Sequence, residues 1–144
     1  AMNRTSAGID WRYTIGDEST LTTSYLYSNL YYQTPGGLTK VQFEANPRQA
    51  RPGTGIFPGS VEQQAAVSNK THLISSLYET TIQSNILVNI GAIASYTDFA
   101  NPTIRNYEER TESNIGARTE IQYQHKIGDV KNKIILGGEY QYFY

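Results

Sequence analysis

The chain has no cysteine, and its 144 residues include one methionine and one tryptophan. The lack of cysteine excludes a disulfide framework, thiolate metal ligands and a cysteine nucleophile. No stretch of about 18 apolar residues occurs, so the sequence predicts no transmembrane helix. Neither sign of charge dominates, since 12 Lys and Arg stand against 13 Asp and Glu. A nucleic-acid partner is therefore not expected.

Branched aliphatic residues are also sparse, whereas tyrosine occurs twelve times and the mean hydropathy is −0.50. A soluble β-domain of this size usually turns a strong face of Val, Ile and Leu inward. Tyrosine and threonine take much of that role in this chain. A length of 144 residues corresponds to one domain, and we expect residues 1–144 to form a single β-unit.

Alternation of apolar and polar residues predicts an all-β fold. The pattern is clearest over residues 9–15, 86–97, 115–124 and 134–142, and it is weaker over 20–32 and 66–80. In the last of these, Leu73 and Leu77 compete with Ile74 and Tyr78, which leaves the facing of the strand open. Together the segments predict an antiparallel meander of about six strands, with no helix longer than two or three turns.

The predicted connections alternate between short and long. Short turns fall near Gly16, Ile82 and Gly128, and long loops span 33–65 and 98–110. In a meander, this alternation places both long loops at the same end of the sheet. Ten tilted residues rise roughly 24 Å, about the height of the lipid-facing band of a membrane barrel. Several tyrosines near strand ends would suit a membrane interface: Tyr13, Tyr27, Tyr96, Tyr123 and Tyr142.

The first long loop contains its own structural signals. Residues 33–60 hold four of the five prolines and five of the twelve glycines. Thr39 and Gln42 fit a capping box, which predicts one or two helical turns ending before Pro47. Ser60 and Gln63 repeat the signature more weakly. We therefore expect a locally structured loop rather than a linker between domains.

The sequence offers little for catalysis. His72 and His125 are isolated within strand patterns, without the spacing of a metal or catalytic motif. Carboxylates and guanidinium groups interleave, a pattern typical of a solvated wall of mixed charge: Glu108, Glu109, Glu112 and Glu120 with Arg105, Arg110 and Arg118. We predict no enzyme, and no catalytic residue, metal ligand or cofactor.

One face of the predicted sheet is polar and charged: Asp10, Arg12, Arg118, Glu120, Gln122, Glu139 and Gln141 lie opposite the apolar positions. Two interpretations remain open. The polar face could line a water-filled or plugged barrel, where it loses no hydration. It could also be the solvent face of a soluble sheet whose other face is buried, but the alternation of loop lengths and the tyrosines at strand ends favour the barrel.

Residues 31–64 read YYQTPGGLTKVQFEANPRQARPGTGIFPGSVEQQ. This segment resembles an extracellular loop of TonB-dependent outer-membrane receptors of the siderophore and ferric-citrate type, in which a YYQTPGGLT opening and an NPRQARP core recur. Residues 95–101 (SYTDFAN) and the block 106–110 are similar as well. The resemblance extends over most of the chain.

The resemblance implies a 22-stranded β-barrel with an internal plug, located in the bacterial outer membrane. Such a receptor imports ferric-siderophore or ferric-citrate-like complexes with energy relayed by TonB. The chain opens directly on a strand pattern and its last residues carry no turn signal, so we expect a barrel segment without a plug or a TonB-interacting part. The alternative is a soluble or surface β-sheet interaction module with no transport role.

The resemblance also suggests ligand contacts. Arg48 and Arg51, with Lys40, could meet an anionic ferric chelate, because guanidinium groups suit carboxylates. The alternative is that the two arginines tie the loop to its neighbours. Six strands of such a barrel cannot close, and the apolar face would lack lipid. We therefore expect the isolated chain to self-associate through that face, an edge strand or both.

Overall fold

The computed structural model describes residues 1–103 and 107–144. In chain order its elements are β1 (Met2–Ile15), β2 (Ser19–Gln33), α1 (Lys40–Ala45), β3 (Ala66–Ile82), β4 (Ile86–Asn101), β5 (Glu108–Ile127) and β6 (Val130–Phe143). The six strands form one antiparallel meander in which neighbours in sequence are neighbours in the sheet. The prediction of an all-β meander of six strands is thereby confirmed. The described residues contain no helix with the length and hydropathy needed to span a bilayer.

Three tight turns join strands where the sequence predicted them, at residues 16–18, 83–85 and 128–129. Gly16 and Gly128 have left-handed backbones, with φ of 62° and 59°, which glycine adopts without strain. Gln83 has the same conformation, with φ of 58°, although it carries a side chain. The two long connections follow β2 and β4.

The chain divides into two compact units, which we call the loop unit and the sheet unit. The loop unit comprises Ala1–Ser6, Ser28–Thr71 and Thr97–Thr111, and it contains α1 and both long connections. The sheet unit comprises Ala7–Tyr27, His72–Tyr96 and Glu112–Tyr144, and it contains the three tight turns.

The register of β5 and β6 sorts side chains by polarity. Ile121 lies opposite Leu136, and Tyr123 lies opposite Ile134. On the other face Arg118 lies opposite Glu139. Directly opposed residues share a face of the sheet, and a shift by one residue would place apolar side chains among charges. The apolar and polar faces predicted for these two strands are confirmed.

The apolar face of the sheet unit continues across the other strands. Trp11 and Tyr13 of β1 line a small depression together with Leu21 and Thr23 of β2. Thr23 in turn contacts Ser76 of β3 through a 3.0 Å hydroxyl hydrogen bond. Since side chains alternate between faces, Ile74 and Tyr78 share the apolar face with Ser76, and Leu73 and Leu77 point to the polar face.

No residue of the sheet unit, all of which is described, is buried. Large apolar side chains stand exposed on its apolar face, with Trp11 at 69% and Leu136 at 73% of full exposure. The buried residues of the described chain are Gly59, Ser60, Ala65 and Ala66, all in the loop unit. The sheet unit is therefore a single layer without a hydrophobic core.

Two predicted boundaries are wrong because strands extend beyond the alternating residues. β4 continues to Asn101 and β5 begins at Glu108, so the loop predicted over 98–110 was too long at both ends. The guanidinium of Arg110 lies 4.1 Å from the ring centroid of Phe99, a cation–π contact that favours this longer pairing. Arg105 and Asn106, part of the predicted charge pattern and of the resemblance, lie outside the described residues.

β1 likewise begins at Met2 rather than near Ile9. Backbone pairing with β2 continues to the start of the chain, where the Gln33 amide donates to the Ala1 carbonyl at 2.9 Å. Side chains over residues 2–8 do not alternate between apolar and polar, so periodicity does not reveal this part of the strand.

Candidate functional site

The long connection after β2 is built around α1, and its capping box forms as predicted. The Gln42 amide donates to the Thr39 hydroxyl at 3.3 Å, and the Thr39 amide donates to the Gln42 side chain at 2.9 Å. The helix ends at Ala45, before Pro47, with Asn46 as its C-cap. Two donors that a helix N-terminus would leave unpaired are thus satisfied within the loop.

A tight hairpin forms the next part of this connection. Thr54 and Phe57 exchange two backbone hydrogen bonds, of 2.9 and 3.1 Å. Gly55 supplies the left-handed conformation that the first central position of such a turn needs, with φ of 59°. Ile56 stands at the tip with 91% of its surface exposed.

Arg51 connects the parts of the loop. Its amide donates to the Pro35 carbonyl at 2.7 Å, and its carbonyl accepts from the Ser60 amide at 2.9 Å. The half-buried guanidinium donates to the Pro58 carbonyl and to the Gln63 side chain, both at 3.3 Å. Arg51 therefore joins Pro35, which precedes α1, to residues 58–63, which follow the hairpin.

These contacts surround a cavity of about 430 Å³ in the loop unit. Residues with hydroxyl, amide and guanidinium groups line it together with glycine, proline and alanine: Thr34, Gly36, Gly37, Thr39, Gln42, Arg51, Pro52, Thr54, Ser60, Gln63, Ala65 and Thr103. Gly36 has a φ of 75°, and a Cβ there would lie 2.5 Å from the Ser60 hydroxyl. Only glycine fits at this position without displacing its neighbours.

The three predicted ligand contacts do not converge on this cavity. Arg51 lines it, but Arg48 and Lys40 do not. The Lys40 ammonium lies 3.8 Å from the Glu44 carboxylate on the surface of α1, a pair too exposed to stabilise the helix much. Arg48 is exposed, and its amide donates to the Asn46 side chain. The structure therefore places one of the three residues at the cavity and leaves two on the outer surface of the loop.

The weaker capping signature at Ser60 and Gln63 does not form a helix. The Gln63 side chain accepts from Arg51 instead, and Ser60 is buried, with its amide bonded to the Arg51 carbonyl. The Gly59 amide donates to the Glu62 side chain, and the Ala65 amide donates to the Ser60 carbonyl, which closes a turn over residues 60–64. In a capping box the Ser60 amide and the Gln63 side chain would bond to each other. Here both are bonded to Arg51 instead. Gly36, Ser60 and Gln63 were not predicted as cavity residues, because their roles depend on Arg51.

A second candidate surface is a groove of about 550 Å³ on the polar face of the sheet unit. Leu77, Gly91 and Ile93 lie in it beside Asn89, Arg118 and Glu139. The Glu120 carboxylate accepts from the side chains of Asn89 and Gln122. A further carboxylate–amide hydrogen bond joins Glu139 and Gln141. Amide side chains and charges of both signs thus lie in or beside the groove, together with the apolar Leu77 and Ile93.

Glycines shape this groove. A Cβ at Gly91 would lie 3.2 Å from Cγ of Arg118, and one at Gly116 would lie 3.2 Å from Cγ of Gln141. The two long polar side chains therefore lie against bare backbone of the neighbouring strand.

The histidines occupy sheet positions among aromatic rings. Nδ1 of His72 lies 2.8 Å from the Tyr25 hydroxyl, and its ring centroid lies 5.1 Å from that of Tyr27. His125 stacks on Tyr123, with 5.2 Å between ring centroids. Among residues 1–103 and 107–144, no three His, Asp or Glu side chains lie together as metal ligands would.

The second long connection carries a separate charged group. Tyr107, which is exposed, donates a hydrogen bond to Glu109. That hydrogen bond first, and the carboxylate charge second, raise the pKa of the Tyr107 phenol. The Arg110 guanidinium, placed over Phe99, also pairs with Glu108. These contacts order the polar start of β5 without forming a catalytic arrangement.

Comparisons of the chain with protein-family models, with curated proteins and with solved structures gave no match. The resemblance to TonB-dependent receptors therefore rests on the sequence motifs.

Proposed function

We propose that this chain is a wall segment of a β-barrel in the bacterial outer membrane. The observation that supports the proposal is the uncovered apolar face of the sheet unit, in which no residue is buried. A soluble sheet with an apolar face needs a second layer of protein to cover it. Lipid supplies that cover in a membrane barrel, whose strands alternate apolar residues outward and polar residues inward.

The polar face supports the same proposal. Arg118 and Glu139 lie beside Asn89 and Gln141 in an open groove, where water can hydrate them. In a membrane barrel this face would line a water-filled or plugged interior. The tyrosines predicted for the interface would then sit at the borders of the lipid band, with rings in the apolar zone and hydroxyls toward water.

The type of barrel that we propose is a TonB-dependent receptor of 22 strands, which imports ferric-siderophore or ferric-citrate-like complexes. The support is the QTPGG and NPRQARP motifs of the first long loop, which would be extracellular. The partners of the whole receptor would be the ferric chelate, outer-membrane lipid and TonB.

Within the loop, the geometry separates the proposed ligand contacts by role. Lys40 and Arg48 are exposed, so their charges could meet an anionic chelate directly. Arg51 donates to two groups of the loop itself, so its first role is to hold the cavity open. The interpretation that the arginines tie the loop together therefore fits Arg51 and not Arg48.

The lipid contact can be tested with Trp11, which is the single tryptophan and stands on the apolar face. The chain is refolded into vesicles whose lipids carry bromine in the acyl chain. We expect blue-shifted Trp11 emission that bromine quenches. In the control, Trp11→Phe with Arg12→Trp, the fluorophore is on the polar face and should be quenched much less. Equal quenching of the two proteins would contradict the proposal.

The ligand contact needs a receptor that carries this segment and is assayed for ferric-chelate uptake. Lys40→Ala with Arg48→Ala should lower uptake while the amount of receptor in the outer membrane stays the same. The control is Lys70→Ala, since Lys70 is an exposed cation of β3 outside the loop. Unchanged uptake in the double variant would remove these two residues from the proposal.

The alternative is a surface β-sheet interaction module whose apolar face is covered by another protein. The uncovered face would serve that role equally well, so extraction separates the two. A barrel segment requires detergent for release from an outer-membrane fraction. Release by salt alone would favour the interaction module.

A further inference from the structure

The cavity of the loop unit contains a positive charge that no carboxylate of the described residues balances. The Arg51 guanidinium is half-buried, and both of its hydrogen bonds leave from Nη2 to neutral acceptors, the Pro58 carbonyl and the Gln63 side chain. Among residues 1–103 and 107–144, no Asp or Glu side chain pairs with Arg51 and none lines the cavity. A charge that is partly removed from water without a counter-ion is costly, so the cavity favours an anion.

Two residues of the cavity hold donor groups that the protein does not use. Nε and Nη1 of Arg51 donate to no group of the described residues. Ser60 is only 4% exposed, and its hydroxyl has no hydrogen-bond partner in the same part of the chain. Buried polar groups are almost always hydrogen-bonded to protein, water or a ligand. The cavity therefore offers a charged donor and a buried hydroxyl to a bound molecule.

Gly36 leaves these donors open to the same part of the cavity. A Cβ at residue 36 would lie 2.5 Å from Oγ of Ser60 and 3.3 Å from Nε of Arg51. The two atoms are therefore less than about 6 Å apart, a separation that one oxygen can bridge with two hydrogen bonds of about 2.9 Å. Because glycine has no side chain, nothing at residue 36 covers either donor.

We propose that this cavity binds the carboxylate of a small organic acid. One carboxylate oxygen accepts hydrogen bonds from Nε of Arg51 and from the Ser60 hydroxyl. The single unbalanced positive charge matches the single negative charge of a carboxylate, whereas a phosphate group carries more than one at neutral pH. The cavity, at about 430 Å³, lies in the size range of small-molecule sites and leaves room for the rest of the acid and for water. The proposal concerns the loop unit alone and depends on neither the membrane nor iron transport.

The test uses the whole chain in an uncharged detergent, without iron, and acetate as the ligand. The side-chain Nε–H resonance of Arg51 is followed by NMR at neutral pH and constant ionic strength. We expect a saturable shift with acetate and none with glycerol, a neutral molecule that carries only hydroxyl groups. The exposed Arg48 is the internal control, since acetate that binds any guanidinium would shift its resonance equally. No shift of Arg51, an equal shift of Arg48, or saturation by glycerol would overturn the proposal.

Removal of the Ser60 hydroxyl separates binding from structure. Ser60→Ala should weaken acetate binding at least fivefold, because a hydrogen bond to a charged group is lost. Without acetate, hydrogen exchange at the Arg51 amide should stay as slow as in the parent chain, since the hydroxyl bonds to no other described residue. Unchanged acetate affinity would overturn the proposal. Faster exchange without acetate would also overturn it, because it would make the hydroxyl a structural group of the loop.

A second variant supplies a competing carboxylate. Gln63→Glu places a negative charge at the atom that already accepts from the Arg51 guanidinium. This ion pair should lower acetate affinity at least tenfold while exchange at the Arg51 amide stays slow. Gln64→Glu is the matched control, because it adds the same charge at an exposed residue that does not line the cavity, and it should change affinity less than twofold.

Equal acetate affinities of the Gln63→Glu and Gln64→Glu variants would overturn the proposal. If acetate fails to bind while Trp11 is quenched by brominated lipid, the membrane proposal stands and only the carboxylate site falls.

Discussion

The loop unit and the sheet unit are stabilised in different ways. The loop unit contains all the buried residues of the described chain, and Arg51 joins distant positions in it by hydrogen bonds. The sheet unit has no buried residue and exposes its large apolar side chains on one face. The first unit can hold its conformation through its own contacts. The second depends on whatever covers its apolar face.

This difference fits the two units to different surroundings: the loop unit to water, and the sheet unit to lipid, detergent or a protein partner. Apolar surface is stabilised by roughly 25 cal/mol for each Å² removed from water, so the sheet unit gains stability only in lipid, detergent or a protein complex. The loop unit is rich in polar contacts, which are compatible with water. The contrast predicts that substitutions in the two units respond differently to the medium.

The largest effect is expected on the apolar face. Leu136→Lys should destabilise the chain in lipid vesicles by about 2–4 kcal/mol, the cost of a cation facing the middle of the bilayer. Ile135→Lys, one residue earlier and on the polar face, should change stability by less than about 0.5 kcal/mol. Urea unfolding followed by Trp11 fluorescence measures both. Equal losses would show that the two faces are not in different media.

A second effect concerns Gly36 in the loop unit. Gly36→Ala imposes a left-handed backbone on alanine, at about 1–2 kcal/mol, and drives its Cβ against Ser60. We expect faster hydrogen exchange at the Arg51 and Ser60 amides, in detergent and in lipid alike. Gly37→Ala is the control, because no atom lies within 4 Å of its added Cβ. Similar exchange in both variants would mean that Gly36 is not packed against Ser60 as described.

A third effect separates the two arginines of the loop. Arg51→Ala removes two hydrogen bonds from a guanidinium, so it should destabilise the loop by about 1.5 kcal/mol. Arg48→Ala should leave loop stability within about 0.5 kcal/mol of the parent chain. Limited proteolysis over residues 34–65 reports both. Faster cleavage of the Arg48 variant would reverse the roles given to the two residues.

The smallest effect lies in the tight turns of the sheet unit. Gln83→Gly should stabilise the chain by about 1 kcal/mol, because glycine adopts the left-handed conformation without strain. Gly128→Ala should destabilise it by a similar amount, since its Cβ meets no atom and only the backbone is strained. Denaturation midpoints of the two variants should move in opposite directions. Shifts in the same direction would contradict this account of the turns.

Local patterns in the sequence determined much of the fold. Alternation predicted all six strands, Gly16 and Gly128 marked tight turns, and the Thr39–Gln42 capping box predicted α1. Each of these signals depends on neighbours within a few residues, such as the two-residue period of a strand. They could therefore be recognised without knowledge of the rest of the chain.

The tertiary structure decided what depended on distant partners. The ladder with β2 extended β1 to Met2, and the Arg110–Phe99 contact accompanied the extension of β4 and β5. Arg51 became a structural residue only because Pro58 and Gln63 lie within its reach, while Arg48 stayed exposed. Side-chain pairs between strands likewise settled that Leu73 and Leu77 face the polar side. These outcomes follow from contacts between residues far apart in the chain, which local periodicity does not specify.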